Sequence, residues 1–153
     1  MLHKEPFLIH PDTFKLIQEL QQIPELKEFY LVGGTSLALQ IAHRNSIDID
    51  LFSQNKFEPS SFVAILENKF EFRLDNLFPD TMLCHINNIK VDFISHPYTL
   101  VKKPIIEEGI TYLSKEDIAA MKLNAIVRSG QRLKDFIDLY FLLEHFSIHQ
   151  MLE

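Results

Sequence analysis

The sequence predicts an α+β fold: a mixed β-sheet flanked by helices, with a helical pair at the C-terminal end. Three observations carry that prediction. Short stretches alternating apolar and polar residues cluster in the middle of the chain, and stretches with helical spacing lie on either side of them. A strand running into Gly33-Gly34 and then an apolar helical stretch marks a strand–turn–helix unit. The last third of the chain holds two amphipathic stretches separated by Ser129-Gly130, a helix-stopping turn.

Element by element, Pro11-Asp12 opens a helix with Phe14, Ile17 and Leu20 at helical spacing, ending near Pro24. Phe29–Val32 reads as a buried strand closing on the glycine pair. Gly34 or Thr35 caps the next helix, whose inner face is Leu37, Ala38 and Ile41. The polar turn His43-Arg44-Asn45 leads into an alternating stretch, Ile47 to Leu51, that carries Asp48 and Asp50. Pro59 starts a helix through Phe62, Ile65 and Leu66. Phe70–Leu74, Met82–Ile86 and Ile89–Ile94 are expected as strands, the last two joined by an Asn87-Asn88 hairpin turn. Residues 97–112 read as a connecting segment, and helices are expected over Lys115–Val127 and Gln131–Phe146.

With 153 residues and 46% hydrophobic content, the chain is long enough for one domain with a sizeable core, expected to span residues 1–153. Its core motifs fall within 29–95 and its final helices within about 115–146. The 13 Phe residues and the absence of Trp make that core phenylalanine-rich. A single cysteine, Cys84, excludes an internal disulfide and fits a reducing compartment. Between Leu83 and Ile86 on a half-buried strand, it reads as structural rather than nucleophilic. No stretch approaches the roughly 20 apolar residues of a membrane span, so a cytoplasmic location is expected. A net charge of −6 argues against a general nucleic-acid coat protein, though not against an enzyme that modifies nucleic acid.

The chemistry concentrates in residues 33–52. A glycine pair at a strand end lets backbone approach a phosphate, and the helix start behind it offers free N–H groups and partial positive charge. Gly33, Gly34, Thr35 and Ser36 occupy that position. Taken alone the junction reads equally as a tight turn. Asp48 and Asp50 alternate with Ile47, Ile49 and Leu51, so on a strand both carboxylates point the same way. Two such charges side by side call for something positive between them, and a hard divalent cation with oxygen ligands is the usual answer. Asp92, within Lys90-Val91-Asp92-Phe93-Ile94, is a third acid on an apolar strand. It is costly there unless paired or metal-bound, or else it sits on an edge strand facing water.

Near the end of the chain, Asp135 and Asp138 share a helix face beside Lys134, and Lys122 lies on the preceding helix. On residues alone this group reads either as part of a site or as a solvated, salt-bridged face. The seven His residues show no metal-like spacing, and only His43, near the glycine turn, merits a test. Arg44 and Arg128 are candidate phosphate or RNA contacts, though an exposed Arg is usually a surface charge.

These motifs resemble the nucleotidyltransferase fold of the DNA polymerase β superfamily, and within it the AbiEii/AbiGii toxin family of bacterial toxin–antitoxin and phage-defence loci. The resemblance rests on Gly33-Gly34-Thr35-Ser36-Leu37-Ala38-Leu39 running to Arg44-x-Ser46-x-Asp48-x-Asp50-Leu51-Phe52. It also rests on Asp92, and on Lys122 followed by Lys134-Asp135-x-x-Asp138-Leu139-Tyr140-Phe141. It implies a catalytic set of Asp48, Asp50, Asp92, Lys122 and Asp135. The first three would be ligands of Mg²⁺ in a two-metal site. Gly33, Gly34, Thr35 and Ser36 would hold the triphosphate of an NTP, with Lys134 and Asp138 lining the nucleotide side. The implied activity is transfer of a nucleoside monophosphate to a hydroxyl, with RNA or tRNA as acceptor and an antitoxin as partner. The competing expectations are a non-catalytic nucleotide-binding domain of the same fold and a nucleotidyltransferase acting on a small antibiotic.

Overall fold

In a computed structural model, residues 2–129 and 133–142 are described. The chain opens with α1 (Pro11–Gln21), in which Pro11 takes the first helical position and the His10 ring caps the end by accepting from the Asp12 N–H at 3.0 Å. Leu16, Ile17 and Leu20 form its buried face. A 3₁₀ turn (Pro24–Leu26) leads to β1 (Tyr30–Val32), which passes directly into α2 (Gly33–Ile41). Next come β2 (Ile49–Ser53), α3 (Pro59–Lys69), β3 (Phe72–Phe78), β4 (Thr81–Ile86) and β5 (Ile89–Ser95). The described chain ends with β6 (Ile105–Glu107), β7 (Ile110–Tyr112), α4 (Lys115–Ser129) and α5 (Leu133–Leu142).

The strands form one seven-stranded mixed sheet in the order β3-β4-β5-β2-β1-β7-β6. The β2–β5 and β1–β7 pairs are parallel, and the others are antiparallel. Alternation along the strands feeds two cores, one on each face. Leu31, Ile49, Leu51, Val91 and Phe93 pack with α1 and α3 residues such as Leu20 and Leu66. Val32 and Phe52 point the other way and pack with Leu113, Ile118, Ala119 and Leu142. Helix α2 serves both cores, through Ala38 and Leu39 on one side and Leu37 on the other. Fully burying a side chain such as Leu51 or Phe93 contributes about 1.5–3 kcal/mol.

Several expectations shift. Asp48 lies just ahead of β2 rather than on it, because pairing with β1 and β5 begins at Ile49 and Asp50. Phe70 ends α3 instead of opening a strand, and β3 runs on to Phe78 with a bulge at Asp75. The segment 97–112 is not merely connecting. It contains the β6–β7 hairpin, whose turn residues Glu108 and Gly109 have φ of 52° and 81°. Three-residue strands around an acidic turn left too little alternation to read. Asn87 and Asn88 adopt φ of 53° and 67°, the left-handed pair that a tight hairpin turn needs. The ends of the predicted last helix, 131–132 and 143–146, lie outside the described residues.

Candidate active site

The site is built where β1, β2 and β5 lie side by side. Asp50 and Asp92 are register partners on the parallel pair β2–β5, so their side chains leave the sheet on the same face. That face is opposite the core formed by Ile49, Leu51, Val91 and Phe93. Asp92 lies on the third strand in from the β3 edge, so the edge-strand reading is excluded. Its side chain is 16% exposed, and both oxygens accept from the Lys90 ammonium, at 2.8 and 2.9 Å. Lys90 precedes Asp92 by two residues on one strand and therefore shares its face. Burial disfavours the Lys90 charge. The hydrogen bond and charge of Asp92, with the charges of Asp50 and Asp48 behind them, outweigh burial and hold the ammonium pKa above its usual value.

The two glycines bind the acid pair to the start of α2. Gly33 has φ of 76°, and a Cβ there would run into the Asp50 carboxylate. A Cβ on Gly34 would run into the Arg44 guanidinium. Only glycine lets an acid and a cation approach the first turn of the helix this closely. That turn has no side-chain cap, so its amides and dipole form a positive end facing the same region. The Thr35 and Ser36 hydroxyls do not lie where a triphosphate would meet them: the residues are 1% and 0% exposed. The Thr35 hydroxyl donates to the Asp48 carbonyl and pairs with the Ser46 hydroxyl at 2.7 Å, which fixes the loop entering β2. Ser36 accepts from Gln40 at 3.1 Å. Any phosphate grip in this turn falls to backbone amides rather than to these side chains.

The second half of the site comes from α5. Asp138 is fully buried, with three cationic or polar partners around it. Arg44 forks onto it, Nε to Oδ1 at 2.8 Å and Nη2 to Oδ2 at 3.1 Å. Lys122 reaches Oδ2 at 2.8 Å, and His43 Nε2 meets Oδ1 at 2.5 Å. An ionised carboxylate only accepts, so His43 Nε2 carries the proton. His43 Nδ1 is buried without a hydrogen-bond partner among the described residues. Burial pushes the Asp138 pKa upward, but hydrogen bonds from His43 and Arg44 and the charge of Lys122 outweigh it and hold the group well below the carboxylate range. Asp138 thus holds cations in place and has no surface left for a nucleotide. Lys122 is likewise only 8% exposed. Lys134 and Asp135 fall on α5, and their side chains lie outside the described residues, as does that of Arg128.

The structure therefore joins Asp50, Asp92, Gly33 and Gly34 on one side, and Lys122 and Asp138 on the other. Arg44 and His43 link the halves. Arg44 is not the surface charge that its type suggests: its side chain is 14% exposed. Lys90 was legible in principle, since a lysine two residues before an acid on a strand faces the same way.

Residues 15–153 match the family described as nucleotidyl transferase AbiEii toxin, type IV toxin–antitoxin system. The chain belongs to the AbiEii family. An uncharacterized protein from Aquifex aeolicus (strain VF5), aq_aa25, is 34% identical over 120 residues, covering 76% of this chain and 58% of the relative. Two solved structures share the fold at 19% identity. The Megavirus polyadenylate synthase matches with a TM-score of 0.58 over 85% of this chain and 31% of its own. JHP933 from Helicobacter pylori matches with a TM-score of 0.57 over 88% and 64%. This AbiEii chain spans less than two thirds of the length of each of these three proteins.

The donors of this AbiEii site suit a hard divalent cation in chemistry and in direction. Asp48, Asp50 and Asp92 offer only oxygen, and the last two share a face. Among the described residues, no three acidic, His or Cys side chains already converge into a cage, and Lys90 holds both Asp92 oxygens. No described helix is long and apolar enough to cross a membrane.

Proposed function

We propose that this AbiEii chain is a Mg²⁺-dependent nucleotidyltransferase that moves a nucleoside monophosphate from an NTP to a hydroxyl on RNA, with tRNA the leading acceptor. The observation that carries the reading is the pairing of Asp50 with Asp92 on one sheet face, beside a helix start against which Arg44 is packed. Acids and cations on opposite sides of one turn are what a triphosphate and its metal require. Asp48, Asp50 and Asp92 would hold Mg²⁺, which when bound makes the attacking hydroxyl more acidic and neutralises the leaving pyrophosphate. The first amides of α2 would donate hydrogen bonds to phosphate oxygens. Arg44, held by Asp138 against the start of α2, would place positive charge near the same anion. Thr35 keeps the Asp48 backbone in position. A cognate antitoxin, expected from the family's type IV toxin–antitoxin description, would be the protein partner.

The test is incubation with total RNA, Mg²⁺ and each labelled NTP in turn. A labelled RNA band of discrete size is the expected product, and Asp50→Asn should lower its formation by about 100-fold or more. Circular dichroism should be unchanged, because the amide keeps the shape that packs on Gly33. Equal incorporation by Asp50→Asn would rule the mechanism out. NTP binding by calorimetry with no transfer to any RNA would favour the non-catalytic reading instead.

A further inference from the structure

The Lys90 ammonium lies on Asp92, within electrostatic reach of Asp50 and Asp48 as well. Two features make this more than a surface ion pair. Both Asp92 oxygens are taken by one donor, and the pair forms between strand neighbours on one face, so no backbone movement is needed to make or break it. The lysine side chain is 42% exposed while that of Asp92 is 16% exposed, so the ammonium can swing into water on its flexible stem while the carboxylate stays. Asp50 sits beside Asp92 in register, and two carboxylates so placed repel unless a positive charge lies near.

We propose that Lys90 is a tethered competitor for the divalent cation at Asp92. The inference rests on the metal reading of Asp48, Asp50 and Asp92 given above. Lys90 supplies positive charge at Asp92, close to Asp50, and it is displaced when a cation takes the Asp92 oxygens. The site's affinity for metal is therefore set partly by how firmly Lys90 holds on. A substitution that removes the ammonium releases Asp92 to the cation, and one that grips harder withholds it.

Calorimetric titration of the full chain with Mn²⁺ alone tests this without any turnover. Lys90→Met should tighten Mn²⁺ binding by about tenfold, a size usual for coupling between linked ligands. Lys90→Arg should weaken it, because a guanidinium forks onto both carboxylate oxygens more rigidly than an ammonium. In an Asp92→Asn background, Lys90→Met should bring no gain, since the competition runs through that carboxylate. Lys90→Arg keeps the charge and so keeps the test available if Lys90→Met fails to fold. Affinity unchanged or weakened in Lys90→Met, or tightened in Lys90→Arg, overturns the competitor role. If Asp50→Asn still abolishes binding in that case, the metal site itself stands. If neither the wild type nor the Lys90 variants bind Mn²⁺, the metal reading fails, and the competitor role with it.

Discussion

Asp138 shows how one buried carboxylate can organise several cationic and polar groups. Its carboxylate neutralises Arg44 and Lys122 and fixes the proton on His43, while buried completely. Replacing it with Asn removes the carboxylate charge that Arg44 and Lys122 share in a poorly solvated place, which should cost about 3–5 kcal/mol in urea denaturation. The pH dependence follows from the sign of the shift. The folded-state pKa lies below the unfolded one, so its stabilisation is complete above the unfolded value of about 4 and lost as pH falls through that value toward the folded one. An acid titration followed by circular dichroism should show this loss in the wild type, and Asp138→Asn should lack that component. The glycines separate in the same manner. Gly33→Ala meets both a left-handed backbone and the Asp50 carboxylate, and should lose about 2 kcal/mol or more of stability. Gly34→Ala meets the Arg44 guanidinium but needs no left-handed backbone, so it should cost less stability than Gly33→Ala in the same denaturation series.

Elements here are fastened by buried polar groups as much as by apolar packing. Asp117, in the first turn of α4, is fully buried and accepts from Ser114 Oγ at 2.8 Å, the Val101 N–H at 2.7 Å and the Lys102 N–H at 3.2 Å. The Tyr98 hydroxyl adds a fourth donor at 3.3 Å, and its ring packs edge-on against Phe52. One carboxylate thus ties the segment between β5 and β6 to the helix that carries Lys122. Asp117→Ala should cost about 2–3 kcal/mol by leaving these donors without a partner. Amide hydrogen exchange at Val101 and Lys102 should speed up more than exchange in β4, which would distinguish detachment of this segment from general destabilisation.

At the scale of the whole molecule, the sheet buries reactive groups even one strand in from its edge. Cys84 on β4 is fully buried, its Sγ donates to the Val91 carbonyl at 3.3 Å, and burial, with the charges of Asp92 and Asp75, pushes the thiol pKa up to about 12. A thiol reagent should therefore label native protein only as fast as the sheet opens, with a rate that rises along the denaturant transition. Much of this architecture was legible in the sequence because it is local. Alternation gave β4 and β5, the Asn pair gave their turn, and the glycine junction gave β1 into α2. The pairing of β7 with β1 was not legible, because parallel neighbours distant in sequence leave no local signature. The same holds at the site. Asp50 and Asp92 could be picked out as acids on apolar strands, but the fork between Arg44 and Asp138 joins residues 94 apart in the chain.

That long span has a consequence for when the protein becomes itself during synthesis. Strands β1 to β5 and both glycines leave the ribosome well before α5. At about 5–20 residues per second, the gap between Arg44 and Asp138 lasts about 5–20 seconds. Through that interval Arg44 has no Asp138 to hold it, and Lys122 itself is made only shortly before α5. The fork that fixes Arg44 against the start of α2 therefore closes only once α5 has been made.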